Sequence, residues 1–187
     1  CSVKLWNFVT GTCLATLRGH QERIWAVAWS PDGRTLASAC TDTTVRLWDI
    51  QAQACTQILT GHSHPVLAIA FSPDGKRLAS SSAGQCIKLW DTESGTHICT
   101  MREHLDWVWA IAFDNNHQLV SGGDDQTLKF WNVETGQCLK TLQGFANQIF
   151  AVAFHPTSYL LASGSLDGQT RLWNWQTGEA IAELSGH

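Results

Sequence analysis

The sequence predicts an all-β fold assembled from repeated, antiparallel, four-stranded units. Three observations lead there. Trp6, Trp48, Trp90, Trp131 and Trp173 stand 42, 42, 41 and 42 residues apart, so one unit is copied along the whole chain. Within each copy, short apolar runs of strand length are split by turn residues. No stretch long enough for a core helix shows helical periodicity.

The clearest copy, 19–49, opens on Gly-His and closes on Leu-Trp-Asp. It returns as 61–91 and, worn, as 103–132 and 144–174. A spare Leu5-Trp6-Asn7 opens the chain and a spare Gly186-His187 closes it. A period near 40 running from Gly-His to Trp-Asp resembles the WD40 repeat, in which each repeat supplies one blade of a β-propeller. The resemblance covers nearly the whole chain. It implies radially arranged blades in an incomplete ring: a partial blade over 1–18, then blades at about 19–60, 61–102, 103–143 and 144–187.

Taken in order, 1–7 reads as a third strand and 13–17 as an outer strand, joined by a turn at Thr10-Gly11. The innermost strand of the first whole blade runs over 24–29, and here the alternation slips. Ile24, Val27 and Trp29 carry the large groups, and the extra residue marks a β-bulge. The slip recurs from Val66, Val108 and Ile149, with only alanines between the large residues of each run. Small side chains suit strands that converge on a common axis. Ser30-Pro31-Asp32-Gly33 and Ser72-Pro73-Asp74-Gly75 are tight turns; Asp114-Asn115-Asn116 is a copy one residue shorter, and His155-Pro156-Thr157-Ser158 a fourth. Second strands follow at 35–40, 77–82, 118–122 and 160–164, and outer strands at 54–59, 97–101, 138–142 and 180–184. An open arc would leave the faces of its end blades wet, which predicts marginal stability, irregular closure or self-association through those faces.

Composition narrows the function. The net charge is −4 and no Lys/Arg run exists, so the footprint of a nucleic-acid binder is absent. No signal peptide or membrane-spanning run is visible. The first residue is Cys, and both ends read as cuts in a longer protein. Cys13, Cys55 and Cys138 share one repeat position on successive blades, too far apart to bridge, so buried reduced thiols and a cytoplasmic setting are expected.

Four polar residues recur: His after Gly, Ser in the second strand, Asp in the next turn, and the Trp. The resemblance implies that they form a hydrogen-bonded tetrad running Trp to Ser to His to Asp. The chemistry agrees, since Trp only donates, an ionised Asp only accepts, and Ser and neutral His do both. The first blade has His20, Ser38, Asp42 and Trp48; the third has His104, Ser121, Asp125 and Trp131. The second has His62, Ser80 and Trp90 but Gly84 for Asp, and the fourth has Ser163, Asp167 and Trp173 but Phe145 for His. The broken second network is expected to make Trp90 count for less than Trp48. A Ser-His-Asp set invites a nucleophilic triad, but a Trp donor holds the hydroxyl and the set repeats in every blade. His62, His64, His97, His104, His117 and His155 match no zinc spacing, and neither glycine pairs nor turns form a phosphate loop, so no metal, cofactor or catalytic residue is expected.

The resemblance also implies which residues project onto the top face. They are Arg23, Trp25 and Thr41; Pro65, Leu67 and Ala83; Trp107, Trp109 and Asp124; and Gln148, Phe150 and Leu166. Aromatic side chains are over-represented there, as at binding hot spots, although Trp109 and Phe150 also suit a plug of the channel mouth. The expected function is a non-catalytic scaffold that binds a peptide or protein on this face. The alternative is a sensor module of a larger signalling protein carrying a nucleotide-binding switch or kinase domain. A glycan-binding role lacks a polar cluster around the aromatics.

Overall fold

The computed structural model describes residues 1–115 and 118–185. Asn116, His117, Gly186 and His187 lie outside the described residues, and with them the end of the third turn, one histidine of the metal reading and the closing Gly-His. The described residues form strands and turns without a helix. A leading hairpin pairs β1 (Ser2–Trp6) with β2 (Cys13–Arg18). Sheet I contains β3 (Ile24–Trp29), β4 (Thr35–Cys40), β5 (Val45–Asp49) and β6 (Ala54–Leu59). Sheet II contains β7 (Val66–Phe71), β8 (Arg77–Ser82), β9 (Ile87–Asp91) and β10 (His97–Met101). Sheet III contains β11 (Val108–Phe113), β12 (Gln118–Gly123), β13 (Leu128–Asn132) and β14 (Cys138–Leu142). Sheet IV contains β15 (Ile149–Phe154), β16 (Leu160–Ser165), β17 (Gln169–Asn174) and β18 (Glu179–Ser185). Each sheet is an antiparallel meander with its strands in chain order.

Local chemistry sets the turns and the slips. Between β3 and β4, Gly33 N–H donates to the Ser30 carbonyl at 2.9 Å with Gly33 at φ +70°, and the Ser30 hydroxyl donates to Asp32 at 2.6 Å. The Ser72–Gly75 turn repeats the pattern. The register of every inner strand shifts at one point: between Ile24 and Ala26, Val66 and Ala68, Val108 and Ala110, and Ile149 and Ala151. The bulged residue is therefore Trp25, Leu67, Trp109 or Phe150, and the bulge re-aims that side chain.

The core lies between sheets. Strand side chains alternate, so each sheet presents one set to the sheet before it and the other to the sheet after it. Ala37, Ala39, Val45, Leu47 and Leu59 of sheet I pack against Val66, Ile69, Leu78 and Trp90 of sheet II. The same interface joins sheet II to III and sheet III to IV, and the leading hairpin packs Val3, Ala15 and Leu17 on Leu36 and Trp48. Volumes are matched across it. Where sheet I sets Ala39 against Val66, sheet III sets Gly122 against the larger Ile149, whose Cγ2 would lie 2.6 Å from any Cβ at Gly122.

Inner strands touch in sequence, β3 with β7, β7 with β11, and β11 with β15. No comparable contact joins β15 to β3 among the described residues, so the sheets form an arc and not a closed ring. Two expectations are corrected as a result. The inner-strand alanines are not packed on an enclosed axis: Ala110 is buried, Ala26, Ala28, Ala68, Ala70 and Ala112 are half-buried, and Ala151 and Ala153 are exposed. The repeat-position thiols are not buried either, because they sit on outer strands; Cys13 is exposed and Cys55 and Cys138 are half-buried. The outer faces show the arc directly. Val27 is 54% exposed where Ile69 and Ile111 are 8%, Trp29 is 51% exposed where Phe71 and Phe113 are half-buried, and Leu184 is 51% exposed where Leu59 is 3%. Among the described residues no helix is long and apolar enough to cross a membrane.

Candidate functional site

The tetrads hold up the top face, and they come in two kinds. In sheet I the Trp48 indole donates to Ser38 Oγ at 2.8 Å, Ser38 meets His20 Nε2 at 2.8 Å, and His20 Nδ1 meets Asp42 at 2.8 Å. Sheet III repeats it at 2.8, 2.6 and 2.7 Å through Trp131, Ser121, His104 and Asp125. An ionised carboxylate only accepts, so Nδ1 carries the proton and Nε2 accepts from the serine hydroxyl. The aspartate also reaches into both loops of its sheet. Asp42 accepts from the amides of Gln21 and Thr44 and from the Thr44 hydroxyl; Asp125 does the same with Leu105 and Thr127. Burial alone would raise these carboxyl pKa values. For Asp42, hydrogen bonds from Thr44 and His20 outweigh burial and hold it well below the ordinary carboxylate range. For Asp125, burial is outweighed by hydrogen bonds from His104, Leu105 and Thr127, and its pKa falls to about 2.

Sheets II and IV lack this double lock. In sheet II the Trp90 indole donates to Ser80 at 2.8 Å and Ser80 meets His62 at 2.7 Å, but the partner of His62 Nδ1 among the described residues is the Cys86 sulfur, at 3.9 Å. Burial, then the charge of Lys88, lowers the His62 pKa to about 3, so this imidazole is neutral. Trp90 and Trp48 are each 2% exposed and donate the same indole bond, so the two tryptophans differ in the missing carboxylate and not in their own burial. In sheet IV the Trp173 indole donates to Ser163 at 2.8 Å. Phe145 packs on Trp173 with ring centroids 5.1 Å apart, and Asp167 turns to the Arg171 guanidinium at 2.9 Å. That guanidinium lies 5.5 Å over the Phe145 ring and also binds Glu183 at 2.9 Å. Sequence reasoning missed Cys86 and Arg171. The signal was available: Cys86 stands 42 residues after Thr44, and Arg171 aligns with Arg46, Lys88 and Lys129 just before each Leu-Trp or Phe-Trp.

His20, Cys40 and Asp42 place ligand atoms within 4.8 Å of one another, the geometry of a metal site. Both His20 nitrogens are already hydrogen-bonded, to Ser38 and Asp42, and both Asp42 oxygens accept from the loops. The grouping therefore belongs to the tetrad. The other histidines singled out from sequence join no such group among the described residues.

The top-face positions separate into three sets. Trp25, Trp107, Trp109 and Phe150 form one contiguous cluster: Trp25–Trp109 at 5.9 Å, Trp107–Trp109 at 5.5 Å and Trp109–Phe150 at 5.2 Å between centroids. Trp25, Trp107 and Phe150 remain 41–43% exposed. Indole donors are tied down internally, Trp25 to Thr41 Oγ1 at 2.8 Å and Trp109 to Asp124 Oδ1 at 2.7 Å. Arg23 lies over the Trp25 ring at 5.1 Å. The second set, Pro65, Gln148 and Leu166, flanks the loops; Leu166 is exposed and the other two are half-buried. The third is a correction. Leu67 and Ala83 are buried and offer nothing to a partner, because the indoles of sheets I and III meet across the position of the shorter Leu67 of sheet II. Gly123 supports the cluster from below. A Cβ there would overlap the Trp107 carbonyl, so glycine is required for that tryptophan's backbone to sit where it does.

The family profile described as "WD domain, G-beta repeat" matches residues 11–49, 53–91, 95–132 and 136–174. Each match begins at an outer strand and ends at a Trp-Asp or Trp-Asn pair, so the sequence unit straddles two sheets and ties them covalently. Among curated proteins, Coronin-7 of Rattus norvegicus is 43% identical over 44 residues, 24% of this chain and 5% of its own length. Coronin-7 of Mus musculus is 46% identical over 41 residues, 22% of this chain and 4% of its length, and the Homo sapiens protein is 43% identical over 44 residues, 24% of this chain and 5% of its length. The matched segment thus spans about a twentieth of the length of these relatives.

Proposed function

The chain belongs to the WD40 repeat family, and on that premise we propose that it is a non-catalytic interaction platform whose top face binds a peptide or protein. The observation that carries this reading is the joined cluster of Trp25, Trp107, Trp109 and Phe150, three of whose rings stay more than two-fifths exposed. Contiguous exposed aromatics on a rigid scaffold mark binding hot spots. In a longer signalling protein the same face would serve as its sensor. Seven free thiols support a reducing, cytoplasmic setting.

The test is partner capture from a lysate of the source cells by the chain and by Trp25→Ala/Trp107→Ala. Both rings are exposed, so the unfolding temperature is expected to change little. Capture is expected to be lost; capture untouched by the double substitution refutes the reading. The exposed Val27, Trp29 and Leu184 on the arc's outer faces support a second proposal, self-association through those faces. Sedimentation showing a monomer at all concentrations would refute it.

A further inference from the structure

We propose that the aromatic cluster takes a cationic side chain, a lysine or arginine of a basic peptide, against Trp107 and Trp109 with Asp106 and Asp124 as its counter-charge. The proposal rests on the top face being the peptide-binding face.

The chemistry of the rings comes first. The Trp25 and Trp109 indole N–H groups are consumed by Thr41 and Asp124, so these rings offer a partner their π faces and not a donor. A π face attracts cations. The chain shows this itself at Trp25, where the Arg23 guanidinium already lies at 5.1 Å. Trp107 and Trp109 carry no such cation among the described residues.

The carboxylates come second. Asp124 accepts from the Trp109 indole at 2.7 Å, which holds it against that ring, and Asp106 accepts from the Trp107 backbone amide at 2.8 Å, next to it in the chain. Neither forms an ion pair among the described residues. The Asp124 pKa is raised, first by burial and then by repulsion from Asp106 and Asp125. The corner thus holds two carboxylates without an ion-pair partner among the described residues. An apolar partner would bury Asp124 further without a counter-charge, which is costly. An acidic partner would be repelled. A cation on an aliphatic stem satisfies both the rings and the carboxylates.

The variant that separates these terms is Asp106→Asn/Asp124→Asn. The amide oxygen of asparagine still accepts from the Trp109 indole and the Trp107 amide, so the rings stay in place while the charge is removed. Random short peptides are displayed and selected on the full chain, with Trp107→Ala as the counter-selection. Selected peptides are expected to carry lysine or arginine. Their affinity is expected to fall about tenfold in the double variant, and about as much when the cationic residue is replaced by norleucine. Selection of uncharged or acidic peptides, or affinity unmoved by the double substitution, overturns the cation while leaving the peptide-binding face intact. Failure to select any peptide that depends on Trp107 overturns both.

Discussion

Sheets I and III carry a complete tetrad and sheets II and IV do not, and the difference falls at the top-face loops. In I and III an aspartate joins the tetrad histidine to both top-face loops, through His20, Gln21 and Thr44 or through His104, Leu105 and Thr127. In II that carboxylate is absent at Gly84, and in IV Asp167 is diverted to Arg171. The locked sheets supply Trp25, Trp107, Trp109 and Asp124; the unlocked ones supply the buried Leu67 and a single ring, Phe150. A binding constellation needs supports that do not move, and here Trp25 and Trp109 lie at the start of β3 and β11, next to the loops that Asp42 and Asp125 tie down. The tetrad is a structural device, and its uneven distribution leaves the top-face loops unequally tied down.

The largest expected effect tests what a tetrad tryptophan contributes when its network exists at all. Trp48→Ala is expected to destabilise by about 3–5 kcal/mol, since the ring is buried and bonded to Ser38. Trp6→Ala, at a ring 56% exposed, is expected to cost under about 1 kcal/mol. Chemical denaturation midpoints compare the two, and equal losses would erase the distinction between an anchored and an unanchored tryptophan.

The next effect separates locked from diverted aspartates. Asp125→Ala strips an acceptor from His104, Leu105 and Thr127 and is expected to cost about 2 kcal/mol, with faster amide exchange at Leu105. Asp167→Ala leaves Arg171 paired with Glu183 and is expected to leave the exchange of the preceding loop unchanged. Exchange that accelerated equally in both would show that the sheets do not differ in their loops.

The smallest effect sharpens the comparison by repairing sheet II. His62 binds a proton near its ordinary 6.5 in the unfolded chain but only near 3 in the folded one. Its contribution is therefore complete above about pH 6.5 and is lost as the pH falls from there toward 3. Asp125, lowered from 3.8 to about 2, contributes fully above about 3.8 and loses that contribution below it. Gly84→Asp restores the carboxylate beside His62. Its Cβ would meet His64 Nδ1 at 3.0 Å and the buried Ser82 Oγ at 3.3 Å, so the exposed imidazole must turn aside and the serine must give by a few tenths of an ångström. The variant is expected to gain about 1 kcal/mol at neutral pH and to flatten the loss between pH 6.5 and 3. An NMR titration of His62 checks it directly: a pKa unmoved by the substitution would mean that the imidazole and the introduced carboxylate do not meet.

Much of this was legible in the residues alone. The Trp spacing, the bulge at each inner strand and the Ser-Pro-Asp-Gly turns depend on neighbours close in sequence, and period-two alternation carries them without reference to the rest of the chain. The tetrad residues were legible for a related reason, because a repeated unit writes the same long-range contact at the same offset in every copy. Tertiary structure alone decided what happens where a copy departs from its pattern. No offset shows that Asp167 without a histidine turns to Arg171, or that Cys86 takes up the space facing His62. Nor could spacing show that Trp25 and Trp109, two repeats apart, meet while Leu67 between them is buried. Those outcomes depend on how adjacent sheets are inclined and on which side chains are long enough to reach across them, and both are settled by packing between sheets.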